Sequence, residues 1–383
     1  MDKEIVEEME ELKRAKKERK KNKKNGHVKL KRFFAAMFLL GAVGMISGLT
    51  LLYGPWKGFR EWLITTAMTT MTHQYYATWF FDDDVINDVL NRNKVVEINE
   101  DTDTNQIQVG KTKTEYENEY EREILERDDE NNDYKIIEIN RKKFSGYLVA
   151  VYDPARIQTV CTRQLGVTGQ YLTTMAEEHD AILAVNGGGF DDPNFSSTGG
   201  SPLGVTICNW AYTSQAKYTG AGGIIGFTRA NKLILTSKVS VKEAKEKDIR
   251  DAVTFGPFLI VNGKASSVVG NGGWGTAPRS AIAQRKDGIV LFLVVDGRTA
   301  SKPGADMDDL IDVLMDYGAY NAANLDGGTS SVLVVDNTIV NDPIDSAGAH
   351  KTRPIATGFI VTKDDSNDGD HSVVANKLGE EED

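Results

Sequence analysis

Between Phe33 and Tyr53 the chain runs for 21 residues, FFAAMFLLGAVGMISGLTLLY, without one charge. As a helix such a run matches the roughly 30 Å of a hydrocarbon core, so it predicts a transmembrane span and sorts the rest of the sequence to two sides. The competing readings are a buried core helix, which seldom stays uncharged for so long, and a cleaved signal peptide, which lacks a convincing small-x-small cleavage site here. Twelve Lys and Arg against one acid, Glu18, stand between Lys13 and Arg32, while Lys57 and Arg60 are the cations soon after the span. The positive-inside rule then places the N-terminus in the cytoplasm and everything downstream outside the cell membrane. Residues 1–32 are read as a basic cytoplasmic segment, with a helix over Met1 to Glu18, and 33–53 as a single-pass signal-anchor.

The formal charge of −11 is carried by the remainder, and an acidic domain behind a basic leader does not suit nucleic-acid binding. GPWKGFREWLITTAMTTMTHQYYATWFF, residues 54–81, reads either as an interfacial helix with an aromatic headgroup belt (Trp56, Trp62, Tyr75, Tyr76, Trp79) or as a helix packing on the outer domain. Residues 82–133 are dense in Asp, Glu, Asn and Lys and are expected to form a charged, solvated stalk, so 54–133 is a membrane-proximal helix plus stalk. From Tyr134 the composition changes. Strand-like runs such as KIIEI, YLVAVY, AILAVNG, IVLFLVVDG and IATGFIV alternate with Gly-rich turns, and helices are expected around Gly169 to Asp180 and Asp306 to Tyr317. Since βαβ units do not repeat, the predicted fold class is α+β or mixed α/β: one compact domain over 134–363 with a mixed sheet and few helices. Residues 364–383 form an acidic tail, whose DDSNDG fails the calcium-loop pattern. Cys161 and Cys208 can form one bridge if the domain is exported.

Five stretches share a pattern in which an apolar run ends in a Gly-containing turn that carries a polar group: AVNGGGF, FGPFLIVNGK, APRSAIAQ, VVDGRTASKPG and NLDGGTSSV. Strand ends that converge at one sheet edge commonly build sites, and glycine turns can present successive N–H groups to an anion. Asp296 and Asp326 sit at such turns together with Arg279 and Arg298. Arg can hold a phosphate with two parallel bonds, and a carboxylate beside an anomeric carbon can act as nucleophile, base or electrostatic stabiliser. Taken singly, an Asp-Gly is a common hairpin turn and an Arg after Pro a structural ion pair; the recurrence within one region favours a site.

The order AVNGGGF, LGVTI, FGPFLIVNG, APRSAIA, VVDGR, NLDGGTSS and RPIATGFIV, spanning Tyr147 to Thr362, resembles the phosphodiester glycosidase family. Its animal member is the uncovering enzyme, which removes N-acetylglucosamine from a phosphodiester on mannose; bacterial members are often placed near exopolysaccharide functions. The resemblance implies a hydrolase whose pocket is faced by Asn186, Gly187, Gly188, Arg279, Asp296, Arg298, Asp326, Gly327, Gly328, Thr329, Ser330 and Arg353. Catalysis would fall to Asp326, Asp296, Arg279 and Arg298, and substrate binding to the others. With the span, it implies a cell-envelope or exopolysaccharide substrate with sugar-phosphate links. Two positions depart from the family pattern: Gly189, where an aromatic is frequent, and Thr329, where a third Gly is frequent.

Other chemistries find less support. His27, His73, His179, His350 and His371 are scattered, without zinc spacing. No cofactor is required by the sequence, although a hard divalent cation, Ca or Mg, at Asp191, Asp192 or Asp306 is left open. Ser201, Ser280 and Ser330 lack the nucleophile-elbow pattern, and TGAGGIIGF lacks the helix a dinucleotide fingerprint needs. The non-enzymatic alternative is an anchored polysaccharide-binding scaffold for export or assembly.

Overall fold

A computed structural model of the protein describes residues 3–69, 74–110, 115–127, 132–191, 198–214 and 217–363. The expected tail 364–383, Asp192, His73 and His371 lie outside the described residues. The chain divides into two compact units, Met1–Glu61 and Trp62–Asp383. In the first, one unbroken helix of 51 residues, Lys3–Tyr53, takes in both the basic segment and the apolar run. Straight-chain Glu, Lys, Arg, Leu and Met dominate it, and all are good helix formers. The stretch Leu30–Tyr53 is long and apolar enough to cross a membrane, three residues longer at its start than the uncharged run alone.

The second unit is built around a seven-stranded sheet in the order Lys264–Ala265, Phe258–Val261, Ala319–Leu325, Arg279–Arg285, Val290–Val295, Ser145–Val151, Tyr134–Asn140. One five-stranded sheet runs Thr338–Ile339, Leu333–Val335, Ala181–Asn186, Thr357–Thr362, Ile157–Cys161. Another runs Ala211–Ser214, Val205–Cys208, Ile249–Phe255, Gly223–Thr228, Leu233–Thr236. The fold is α+β. Where a single mixed sheet was expected, the strand pairs among the described residues are antiparallel and fall into several sheets. The apolar run VLFLVV explains the layering, since a strand without polar alternation has to be covered on both faces. Leu291, Leu293 and Val295 pack with Leu310 and Leu314 of the helix Met307–Asp316. Val290, Phe292 and Val294 point the other way, into a core shared with Leu183, Val185, Phe227 and Phe359 of the five-stranded sheets. The second expected helix, Leu172–Glu178, lays Leu172, Met175 and Ala176 on the outer side of the Asn186 sheet, against Val160, Ala184 and Ile360.

Of the two readings of 54–81, the structure favours packing: from Trp62 onward the helix Lys57–Thr69 packs on the domain, with Ile64, Thr65 and Ala67 buried, while Trp62, Tyr76 and Trp79 remain exposed. The described residues of 82–133 correct an expectation: they are not the free stalk that the composition predicts. Asp82 caps the helix Asp83–Arg92 by accepting from the Val85 N–H, and Ile86 and Val89 are buried on one face. Lys94–Val96 pairs with Ser267–Val269, the Glu97 carboxylate accepts from the N–H groups of Gly222 and Phe258, and Ile107 and Ile124 are fully buried. The acid-rich composition concealed this because the buried apolar residues are few and only Ile86 and Val89 stand at helical spacing, which an average over the segment does not register.

Cys161 and Cys208 are joined, tying the ends of strands in the two five-stranded sheets across 47 residues of chain. The loop-closure account gives such a bridge about 4 kcal/mol. The double variant Cys161→Ser, Cys208→Ser should therefore melt roughly 6 °C lower for a unit of this size, read by calorimetry with and without reductant.

Candidate functional site

The antiparallel order decides what meets. The strand Arg279–Arg285 lies between Val290–Val295 and Ala319–Leu325, with Arg279 opposite Val295 and Ser280 opposite Leu325. It therefore begins where both neighbours end, and Asp296 and Asp326, one residue past those ends, flank Arg279 at the same sheet edge. Two strand spacings put their backbones about 10 Å apart. Asn186 ends its own strand over this edge. Its Nδ2 donates to the Asp326 carbonyl at 2.7 Å, and its Oδ1 accepts from Ser280 Oγ at 2.7 Å and from the Val332 N–H at 3.2 Å. Asn186 is buried and satisfied, so it fixes the Asp326 turn against both sheets rather than presenting itself to a ligand.

Arg279 is 5% exposed. Its Nη2 donates to the carbonyls of Trp274 and Gly275, and its Nε to that of Ala305 at 3.3 Å; the Trp274 ring lies 5.9 Å from the guanidinium. Burial lowers its pKa to about 10, against the opposing attraction of Asp306 and Asp326, so it remains charged at neutral pH. The other buried arginines each have an acid: Arg156 pairs with Asp133, Arg250 with Asp251, and Arg285 with Asp287 and Glu121. Arg279 has no carboxylate within 4.0 Å among the described residues.

Arg298 adopts a positive φ of 64°, uncommon for a side chain of this size, and its Nη1 donates to Thr329 Oγ1 at 2.9 Å and to the Ile344 carbonyl at 2.5 Å. Burial lowers its pKa, while Asp345 acts in the opposite direction. The two guanidinium groups bracket the Asp326-Gly327-Gly328 turn. A Cβ on Gly328, whose φ is +65°, would stand 3.0 Å from Arg298 Nη2, and one on Gly327 would stand 3.6 Å from Arg279 Nη1 and 3.0 Å from the Pro278 carbonyl. These glycines make room for the arginines.

Asp296 accepts at Oδ1 from Asn341 Nδ2 at 2.9 Å and from the Asp342 N–H at 3.0 Å. Burial raises its pKa and the nearby Asp342 charge adds to that, against the lowering effect of the two hydrogen bonds. A carboxyl group held in that balance suits proton transfer. Asp326 Oδ1 accepts from the Gly327 N–H at 3.0 Å.

The expected anion nest is not available. The N–H groups of Gly187 and Gly188 donate to the carbonyl and hydroxyl of Thr357, that of Gly327 to Asp326, and that of Gly328 to the Pro278 carbonyl. A Cβ on Gly187 would meet Thr357 Oγ1 at 2.6 Å and one on Gly188 the Thr254 carbonyl at 2.7 Å, so those glycines serve close strand packing. Ser330 is buried. Arg353 lies 4.6 Å over the Phe190 ring, at the far end of the glycine turn. Asp306 is committed as the cap of Met307–Asp316 and as partner of Lys143. Among the described residues no group of three His, Cys, Asp or Glu could hold a metal ion. Sequence reading missed Asn341, whose only local signal is an Asn-Asp-Pro turn, and Trp274, marked by the glycine density of GNGGWG.

Residues 179–362 match the family model described as phosphodiester glycosidase, which bears out the resemblance over those residues. A prophage-derived uncharacterized protein of Bacillus subtilis, YomE, is 27% identical over 177 residues, 44% of this chain; the chain spans 26% of that relative's length. Among solved structures, the zebrafish N-acetylglucosamine-1-phosphodiester alpha-N-acetylglucosaminidase catalytic domain, auto-inhibited by its pro-peptide, superposes with a TM-score of 0.48 at 20% identity. That match covers 60% of this chain and 82% of the other. A hypothetical protein from Synechocystis gives 0.42 at 14% identity, over 60% and 61% of the two chains.

Proposed function

We propose that this chain, which carries a phosphodiester glycosidase domain over residues 179–362, hydrolyses a glycosyl phosphodiester at the edge formed by Arg279, Asp296, Arg298 and Asp326. The observation that carries the reading is the buried guanidinium of Arg279, which has no carboxylate within 4.0 Å among the described residues and is bracketed with Arg298 around the Asp326 turn. A cation buried without a counter-charge is costly unless an anion completes the site. The reaction breaks the bond from the anomeric carbon to the phosphate oxygen and adds water, giving free sugar and a phosphate monoester. As that bond breaks, the phosphate goes from one negative charge to two, so Arg279 and Arg298 stabilise the transition state more than the ground state. Asp326 faces the positive charge that develops on the sugar, and Asp296, with its raised pKa, takes the proton from the attacking water. Phosphate leaves readily, so no dedicated acid is assigned.

The sugar is assigned as N-acetylglucosamine by analogy with the family's animal member, and the polymer as a cell-envelope or exopolysaccharide one. The setting is the outer face of the cell membrane, the chain anchored through Leu30–Tyr53. What supports this is the basic stretch before that helix and the Cys161–Cys208 bridge, which suits an oxidising compartment. The full chain, purified in detergent and incubated with an N-acetylglucosamine phosphodiester, should release free N-acetylglucosamine and phosphate monoester in equal amounts. Binding of the diester without release would instead favour the scaffold reading.

A further inference from the structure

We infer that residues 62–69 and 83–96, which precede the stretch matching the family, belong to the catalytic unit, because they brace the strap 270–275 that holds the Arg279 guanidinium. The inference rests on the function proposed above. The strap, GNGGWG, has Gly270, Gly272, Gly273 and Gly275 at positive φ and passes against two elements of the preceding segment. On one side Asn271 Nδ2 donates to Thr65 Oγ1 at 2.7 Å, and Gly275 lies so close to the Trp62–Thr69 part of the helix that a Cβ there would stand 2.5 Å from Thr66 Oγ1. On the other, buried Asn93 accepts from the Asn271 N–H at 2.9 Å, and a Cβ on Gly273 would stand 2.2 Å from the Asn93 carbonyl oxygen. Asn271 also closes the strap on itself, its Oδ1 accepting from the Gly273 N–H at 3.1 Å.

The far end of the strap supplies the Trp274 and Gly275 carbonyls to Arg279 Nη2, and the Trp274 ring to its face. With three carbonyl acceptors and no paired carboxylate among the described residues, the direction of this guanidinium is set by the strap and by the Ala305 carbonyl. A displacement of about 1 Å at a reacting centre can cost roughly 100-fold in rate. Thr65, Asn93 and Asn271 are positioning residues on this account: they touch no substrate, and they act through the carbonyls that aim Arg279. The family match at 179–362 includes the strap and not its brace.

The test uses the full chain with Asn271→Ala, Thr65→Val and Thr65→Ser. Hydrogen exchange over 270–279 should quicken at least tenfold in Asn271→Ala and Thr65→Val and stay near wild type in Thr65→Ser, which keeps the accepting hydroxyl. On an N-acetylglucosamine phosphodiester, kcat should fall about 10- to 100-fold in the first two variants, with Thr65→Ser restored to within threefold. Unchanged exchange in Asn271→Ala overturns the brace whatever the activity shows. Quickened exchange with wild-type turnover overturns its role in aiming Arg279. If the wild type releases no sugar, the proposed function fails and the positioning role falls with it, while the exchange data still decide whether the brace exists.

Discussion

Asp326→Asn should lower kcat on a glycosyl phosphodiester by about 10³ or more while leaving the fold and diester binding nearly unchanged. The substitution is well matched to the question because it keeps the backbone bonds of this residue and a side-chain acceptor oxygen. Its N–H donates to the Gly187 carbonyl and its own carbonyl accepts from Asn186; an Asn keeps both. The side-chain Oδ1 that accepts from the Gly327 N–H is also retained in an amide. What disappears is the negative charge, which in the proposed mechanism matters in the transition state and hardly in the ground state. The KM should therefore stay within about threefold and the Tm within roughly 1 °C. Asp296→Asn is expected to behave differently, since its carboxylate accepts from Asn341 and from the Asp342 N–H and its acid–base role depends on titration. It should flatten the acidic limb of the rate profile, because the raised pKa of Asp296 sets the pH below which the base is protonated and idle. Wild-type turnover in Asp326→Asn would remove that residue from the mechanism.

The parts of the site that were legible in the sequence are those whose chemistry is local. Arg279, Asp296 and Asp326 each follow or precede an apolar run, and in an antiparallel sheet runs that neighbour in space alternate direction, so one strand's start meets two strands' ends. The glycines illustrate the opposite case. NGGG and DGG carry the composition of an anion nest, yet whether an N–H is free depends on the strand laid against it. Thr357, 169 residues from Gly188, and Pro278, 50 residues from Gly328, take those N–H groups and carry no signal that would reveal the pairing. Residues 82–133 failed for a related reason. Ile86, Val89, Ile107 and Ile124 are few enough to be lost in an acidic average, and it is their placement, with Glu97 accepting from two backbone N–H groups, that packs the segment on the domain.

Both departures from the family pattern acquire a physical reading. Thr329, where a third Gly is frequent, supplies the hydroxyl that accepts from Arg298 Nη1, so it adds a tether to the second arginine. Gly189, where an aromatic is frequent, has no space for one: a Cβ would lie 2.6 Å from Phe255 Cε2. The Phe255 ring that fills this space packs edge-on against Trp274 at 6.0 Å, and the Trp274 ring lies 5.9 Å from the Arg279 guanidinium.

The largest contrast is expected among the buried arginines. Arg279→Met should abolish phosphodiester turnover, a loss of at least about 10³, yet cost less than about 2 kcal/mol of stability. The lost bonds to the Trp274, Gly275 and Ala305 carbonyls are offset by removal of a buried cation that has no carboxylate within 4.0 Å among the described residues. Arg250→Met should do the reverse. It leaves Asp251, 2% exposed, without its partner, a change worth about 3–5 kcal/mol, and leaves the chemistry at the other sheet edge untouched in the fraction that folds. The sign of the titration agrees. With its folded pKa depressed to about 10, Arg279 binds fewer protons in the folded chain than in the unfolded chain between that value and its ordinary one. Its contribution to stability therefore rises as pH climbs through about 10, and at neutral pH the charge is carried at a cost. An anion bound to the folded state offsets that cost. Inorganic phosphate at 100 times its dissociation constant should stabilise the wild type by about 2.7 kcal/mol and Arg279→Met by almost nothing, both read as shifts in Tm. If phosphate raised the Tm of the two proteins equally, Arg279 would have no part in holding the anion, and the hydrolytic reading would lose the observation on which it stands.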